Sequence, residues 1–473
     1  MIFLDINNGE PLYEQLFSAL RQGIIQKELK KDSALKPIRV LAKELNISNN
    51  TVNRAYQQLL AEGYIRSVQG SGYYVEDIQT LLGVKGPAND NAVVNGGKID
   101  DWLKYDFSYE NIEADYFPWT KWRKYIQDAV LEESYNTKLN YEVNKGNVIL
   151  RESLCDYINN SRGVNCGLHQ IIVCAGTQYA MDIITNILPK KKYVIGVEEP
   201  GYGGMRKIFA NKGYTIKPLS ISDSGIDLAA LEKSDCNLLY LTPSHQFPTG
   251  VKTSLEKRMQ ILAWAQKKQA YIIENDYDNE FLYGEKPLPS MQSLDKEDNV
   301  IYLSTLSKVL SPALRCAYFV LPDALLKAYE DQYQYYYAAL PTYHQKALAY
   351  FIRDGHLERH VRKMALLNRK KYEIFNRVME KELSEEVEIF PVPAGSHVLM
   401  QIKGCDNQES FIKQMQRKGL KIYGTKSYWA DRTNAPEDLF LFGYNALSEQ
   451  ELEAACIALT HAVRETIGAC SEK

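Results

Sequence analysis

The chain has 473 residues, 45% of them hydrophobic and 24% charged, with a net charge of -3 at pH 7. That length exceeds what one small core can organise and that apolar content is too high for disorder, so two or more folded domains are expected. No uninterrupted apolar run reaches the roughly 18 residues that cross a bilayer, and the opening MIFLDINNGE lacks the zones of a secretion signal, so the expected address is cytoplasmic, with no membrane partner.

The eight cysteines, Cys155, Cys166, Cys174, Cys236, Cys316, Cys405, Cys456 and Cys470, are scattered. They show neither the paired spacing of a zinc site nor the density of a disulfide scaffold, and are read as reduced, mostly buried thiols with no metal. The balanced charge does not announce nucleic-acid binding, so any contact with DNA has to come from local placement of cations and amides.

In chain order, Leu12, Leu16, Leu20, Ile24 and Ile25 recur at helical spacing, which predicts a helix from just after Pro11 to about Gln26. Val40, Leu41, Ala42 and Leu45 predict a second helix. After the turn Asn46-Ile47-Ser48, with Ser48 as N-cap, Val52, Ala55, Tyr56, Leu59 and Leu60 predict a third, ending at Glu62-Gly63. Two short strands, Tyr64 to Val68 and Tyr73 to Val75, flank Gln69-Gly70-Ser71-Gly72, giving a winged helix-turn-helix. Asn49, Asn50, Thr51, Asn53 and Arg54 place donors and acceptors where a recognition helix enters the major groove of double-stranded DNA. Arg39 and the amides of Gly70 and Ser71 suit phosphate or minor-groove contact.

This head is assigned to residues 1–77 and a Gly/Asn/Asp/Pro-rich linker to 78–105. In the domain that follows, 106–467, apolar runs alternate with helical patterns: Gln170 to Cys174, Tyr193 to Val197, Leu238 to Thr242, Tyr271 to Glu274, Val300 to Ser304 and Cys316 to Val320. Such runs predict strands of a mostly parallel sheet buried on both faces, with a ligand beyond the strands' carboxyl ends. Lys308 follows one of these strands, flanked by the hydroxyls of Thr305 and Ser307, with Arg315 seven residues on. Those groups meet the needs of pyridoxal 5'-phosphate (PLP): an amine for a Schiff base, and hydroxyls and a cation for the phosphate. Gly176-Thr177-Gln178 opens a helix after another strand, where the positive helix end attracts phosphate, and Tyr202 is a candidate for stacking on the ring.

The segment PLYEQLFSALRQGII, followed by RVLAKELNISNNTVNRAYQQLLAEGYIRSVQGSGYYV, resembles the GntR family of winged-helix repressors over residues 11 to 75. It departs at Asn49, where the family usually has arginine, and at Asn53, which should alter operator preference. The motifs CAGTQYAMD, EEPGYGG, YLTPSHQFPTG, IIENDYDNEF and STLSKVLSPALR resemble fold-type I aminotransferases over about 106 to 465, so the whole chain resembles the MocR, or GabR-like, regulators. The resemblance implies a multidomain α/β protein: a winged-helix head and a PLP-dependent transferase fold, its mostly parallel sheet flanked by helices, with a smaller C-terminal α+β subdomain. It further implies Lys308 as the Schiff-base lysine, Arg315, Thr305, Thr177 and Gln178 around the phosphate, and Tyr202 on the ring. His245 and Gln246 would lie near the ring hydroxyl and Tyr277 beside the lysine. Tyr141, in YEVNKG, would reach the phosphate site of a neighbouring subunit in a homodimer.

Two departures bear on mechanism. The aspartate opposite the pyridine nitrogen aligns with Asn275, with Asp276 one residue later, and Asn supplies no charge to keep that nitrogen protonated. Asp276 would replace it only by a shift of register, which the alternation of side chains in a strand disfavours. Ala446, in a stretch aligned with a strand, stands where amino-acid-binding members place a carboxylate-binding arginine, a gap that Arg206 could fill by folding inward. Both favour a sensor of PLP itself or of an amine over an enzyme. The alternatives are a working aminotransferase with an accessory head, and a regulator that has lost the cofactor.

Overall fold

Pro11 opens helix α1 (Leu12–Ile25), and Asn46, at φ 54, turns the chain between α2 (Ile38–Leu45) and α3 (Asn49–Ala61). These elements come from a computed structural model that describes Leu4 and residues 10–26, 28–76, 103–281, 288–390 and 394–471. Ser48 caps α3 as its sequence position predicts: its hydroxyl accepts the Thr51 amide at 3.0 Å. The predicted wing is an antiparallel pair, β1 (Ile65–Val68) with β2 (Gly72–Val75). Leu16, Leu20, Val52, Ala55, Tyr56 and Leu59 close a single apolar core under the three helices.

The chain divides into two compact units, Met1–Lys98 and Ile99–Lys473. Most of the predicted linker falls outside the described residues, but its last residue is already structured. Tyr105 belongs to strand β3 (Tyr105–Asp106), which runs parallel to β14 (Leu420–Lys421). The linker boundary at 105 is therefore corrected. A final helix, Glu449–Ser471, also continues past the expected end of the domain at 467.

An eight-stranded sheet organises the second unit. Its strands are β4 (Ile171–Cys174), β5 (Val194–Glu199), β6 (Thr215–Ser222), β7 (Gly225–Ile226), β8 (Leu238–Leu241), β9 (Tyr271–Asn275), β10 (Val300–Thr305) and β11 (Ala317–Val320). They are ordered β4-β11-β10-β9-β8-β5-β6-β7. The strands β10, β9, β8, β5 and β6 are mutually parallel, as continuous apolar runs predict. β11 is antiparallel to both β10 and β4, which its equally apolar sequence does not reveal. One face is covered by helices that include Trp119–Ser134, Val148–Arg162 and Thr342–Arg353. The other packs on Thr177–Ile187 and Asp323–Tyr333.

The smaller C-terminal part is α+β, as expected. Its antiparallel sheet has the order β12 (Val387–Phe390), β13 (His397–Ile402), β16 (Leu439–Gly443), β15 (Tyr423–Gly424). Helices His356–Leu383 and Glu449–Ser471 pack together beside it. No described helix is long and apolar enough to cross a membrane.

Ser48→Ala removes the one side-chain cap on α3 and should cost about 1 kcal/mol. Hydrogen exchange should show the loss as faster exchange at the α3 amides, with no change in the amides of β9 and β10.

Candidate functional site

On the head, Asn49, Asn50 and Arg54 are exposed along α3, with Asn53 half-buried beside them. Thr51 is engaged locally, its hydroxyl 2.8 Å from that of Ser48. Arg54 lies 4.0 Å over the ring of Tyr13, which orients a guanidinium that stays accessible. Arg39, Gly70 and Ser71 are exposed, and Gly70 adopts φ 77, a left-handed conformation suited to glycine at the wing tip.

In the second unit, β10 and β11 are neighbours with Thr305 opposite Ala317, and the Leu306 amide donates to the Cys316 carbonyl at 3.0 Å. The intervening loop is thereby closed on itself, and Lys308 and Arg315, seven apart in sequence, line one cavity of about 260 Å³. Thr305, Ser307, Thr177, Gln178 and Tyr202 line the same cavity, as do Asn275 and Tyr277. Thr177 and Gln178 begin the helix Thr177–Ile187, whose first amides have no partner within the helix. Gly176, at φ 93, precedes them, and a Cβ there would stand 2.5 Å from Nη2 of Arg315. Glycine is what lets the guanidinium lie across the helix end.

The Lys308 ammonium donates to the Tyr109 carbonyl at 2.6 Å and sits 4.3 Å over the Tyr109 ring. Burial pushes its pKa down, opposed by Asp278 and Glu110, which enlarges the neutral fraction able to act as a nucleophile. Ser307 accepts from the Thr305 hydroxyl at 3.0 Å, so the two hydroxyls are held together. Tyr202 meets Phe247 edge-on at 5.7 Å, which fixes its ring as one wall. The Tyr277 hydroxyl is buried with no hydrogen-bond partner among the described residues.

Strand alternation separates Asn275 from Asp276. Asn275 faces the cavity, its amide nitrogen donating to the Tyr240 hydroxyl at 2.8 Å while its oxygen is left without a partner among the described residues. Asp276 is fully buried on the opposite side, held by Arg162 at 2.7 Å and by the Tyr302 hydroxyl at 2.8 Å. It does not take the place of Asn275.

Two of the expected positions, His245 and Gln246, do not line this cavity. His245 is buried behind the wall, its ring 6.0 Å from Tyr277 and 5.3 Å from His397, and burial pushes its pKa down to about 4. Gln246 is spent on the turn, donating to the carbonyls of Pro200 and Phe247. Tyr141 is 78% exposed and stacks on Tyr337 at 4.3 Å, outside the cavity of its own chain. Ala446 follows the end of β16 and is not in a strand, which corrects the expected element. Arg206 does not fold inward: it donates to the carbonyls of Ser427, Tyr428 and Trp429. It borders an adjoining space of about 750 Å³ that shares Tyr109, Glu110 and Tyr202 with the first and is also lined by Lys207 and Arg432.

Sequence reasoning missed Tyr109 and Glu110, which precede the aminotransferase-like motifs, and Tyr240 and Phe247, which lie within the motif YLTPSHQFPTG but were given no role. Tyr109 holds Lys308 through a carbonyl, for which no side chain gives a signal.

A winged helix-turn-helix joined to a domain of aminotransferase architecture defines a transcriptional regulator with an aminotransferase-like body. Comparison with known proteins agrees. The family of aminotransferases class I and II matches residues 108–457, and the gntR family of bacterial regulatory proteins matches residues 12–75. An uncharacterized HTH-type transcriptional regulator of Bacillus subtilis, YdeL, is 33% identical over 95% of this chain and 96% of its own length. The probable rhizopine catabolism regulatory protein MocR of Rhizobium meliloti is 31% identical over 89% of this chain and 88% of its own. The pyridoxine biosynthesis regulator PdxR of Corynebacterium glutamicum is 26% identical over 97% and 98%. Among solved structures, the α-aminoadipate aminotransferase LysN of Thermus thermophilus, complexed with N-(5'-phosphopyridoxyl)-L-leucine, has the same fold, with a TM-score of 0.68 at 23% identity over 78% of this chain and 94% of that one. The chain belongs to the MocR-type regulators, in which a GntR-type head is fused to a class I and II aminotransferase-like domain.

Because Arg162 and Asp276 are both buried, Arg162→Met strands a charge and should cost about 3–5 kcal/mol. Arg162→Met combined with Asp276→Leu should cost clearly less. Urea unfolding of the three proteins checks this, and equal losses in single and double variant would contradict the pairing.

Proposed function

We propose that this regulator binds PLP at Lys308 and senses either PLP itself or an amine in the same pocket, passing occupancy to DNA-binding heads paired in a homodimer. The observation that carries this reading is the convergence of Lys308, Arg315, Thr305, Ser307, Thr177 and Gln178 on one cavity. PLP, when bound, supplies an aldehyde carbon that exchanges amines and a ring that withdraws electrons. The residues fit it: a half-buried lysine amine shifted towards neutrality, and a guanidinium laid over a helix N-terminus by Gly176. The Tyr277 hydroxyl and Asn275 oxygen, without partners among the described residues, offer further polar contacts to the ring.

In this reading Arg315, the two hydroxyls and the helix end hold the phosphate, while Tyr202 covers the ring. Tyr277 lies beside the lysine. Asn275 would stand opposite the pyridine nitrogen without supplying charge, which would favour binding and amine exchange over carbanion chemistry. His245, behind the wall, supports Tyr277 in place of touching the ring. The exposed Tyr141 and Tyr337 suit contact with a second copy, on which the homodimer rests. With alanine at 446 supplying no guanidinium and Arg206 tied to three carbonyls, the reading favours PLP itself or an amine lacking a carboxylate.

On the DNA side, α3 enters the major groove through Asn49, Asn50, Asn53 and Arg54, with Thr51 at the helix start. Arg39 and the wing amides of Gly70 and Ser71 contact the backbone. The site of action is the cytoplasm, where an operator is reached. A homodimer requires two half-sites, and footprinting that showed one isolated half-site would count against it.

Added PLP should give a visible absorbance band that Lys308→Ala abolishes. The competing reading, a working aminotransferase, draws on the intact Lys308 and Arg315. A steady-state assay across amino donors separates the two: the unaltered protein should turn over poorly, and Asn275→Asp should raise turnover by roughly 100-fold, the scale of one well-placed electrostatic group. Sustained keto-acid formation by the unaltered protein, abolished by Lys308→Ala, would overturn the sensing reading.

A further inference from the structure

Cys155 and Cys166 differ from the other cysteines whose burial is described. Cys174, Cys236, Cys316, Cys405 and Cys456 are buried, whereas these two are only half-buried, and their sulfurs lie 3.7 Å apart. Cys155 sits on the helix Val148–Arg162, and Gly163, at φ 69, ends that helix in the left-handed conformation that turns the chain back. Cys166 is thereby returned to the flank of the helix it has just left. The hydrogen bond from Cys166 holds the Cys155 thiol below its ordinary pKa, against burial and the carboxylates of Asp156 and Glu152, and with help from Arg151 one turn earlier. The same bond pushes Cys166 up.

We propose that Cys155 and Cys166 form a redox modification site, which reacts with small disulfides and closes into an intramolecular disulfide bond. The geometry asks for little: the sulfurs must close from 3.7 Å to about 2.05 Å. The Cys155 thiolate attacks one sulfur of the small disulfide, forming a mixed disulfide and releasing one thiolate. Cys166 then loses its proton and attacks the Cys155 sulfur, and the second small thiol leaves carrying that proton. The protein dithiol is oxidised by two electrons, and the small disulfide is reduced to a thiol and a thiolate.

The ring so closed contains Arg162. That residue holds Asp276 behind Asn275, and it also donates to the Ser244 hydroxyl at 2.9 Å and the Leu288 carbonyl at 3.0 Å. Oxidation would tether the segment that braces β9 behind the cavity, although the site itself needs no ligand in that cavity to react.

The test is incubation of the full-length protein with oxidised glutathione, followed by intact mass and peptide mapping. The unaltered protein should lose two hydrogen atoms in a single crosslink between Cys155 and Cys166, and a thiol reductant should restore it. Cys166→Ser should retain a glutathionyl adduct on Cys155, and Cys155→Ser should show neither adduct nor crosslink at Cys166. An unchanged mass in the unaltered protein, a crosslink mapped elsewhere, or an adduct that persists on Cys155 while Cys166 is present would each overturn the proposal.

Discussion

The closure of the loop between β10 and β11 is the constraint on which the second unit's site depends. One backbone hydrogen bond, Leu306 to Cys316, sets the antiparallel turn, and that turn decides that Lys308 and Arg315 face the same space. Arg315 pays for this position with a left-handed backbone at φ 49, uncommon for a residue with a side chain. Gly176 completes the arrangement from a different strand end, because any side chain there would collide with the guanidinium. The site therefore forms where β4, β10 and β11 end or begin, beside the carboxyl ends of the parallel strands, where open α/β sheets gather ligands.

The chemistry of that site turns on which side of β9 a carboxylate occupies. A strand presents successive residues to opposite faces, so Asn275 and Asp276 cannot share a role. Asp276 is retained in the chain as a buried partner for Arg162 and Tyr302, where it serves packing. Asn275 meets the cavity with an uncharged amide linked to Tyr240. The proposed reading of this pocket as a sensor rests on that contrast: Lys308 and Arg315 line it, and the strand position facing it carries an amide where Asp276 is turned away.

Much of this was legible in the sequence, because the residues concerned act through their own periodicity or side-chain chemistry. The helices of the head follow from apolar spacing, and Ser48 caps α3 where its position predicts. The grouping of Lys308, Arg315, Thr305, Ser307, Thr177 and Gln178 follows from motifs at strand ends. What was not legible has physical reasons. β11 is as apolar as the parallel strands of the sheet, so its direction is invisible in composition. Tyr109 acts through a carbonyl. His245 and Gln246 belong to a motif but are buried, His245 in space that the absence of a side chain at Gly395 leaves open and Gln246 against the turn at Phe247, and only packing shows this. Tyr105 pairs through its backbone with a strand more than 300 residues later, beyond the reach of any local pattern.

The most direct measurement is the affinity of the protein for DNA from upstream of its own gene, by fluorescence anisotropy at fixed salt, with and without PLP, for the unaltered protein and Lys308→Ala. A regulator that senses through this pocket should show a coupling of roughly 5-fold or more between PLP and DNA, absent in Lys308→Ala. Equal DNA affinity with and without PLP in the unaltered protein, once occupancy of Lys308 has been verified, would contradict the account that the pocket governs the head.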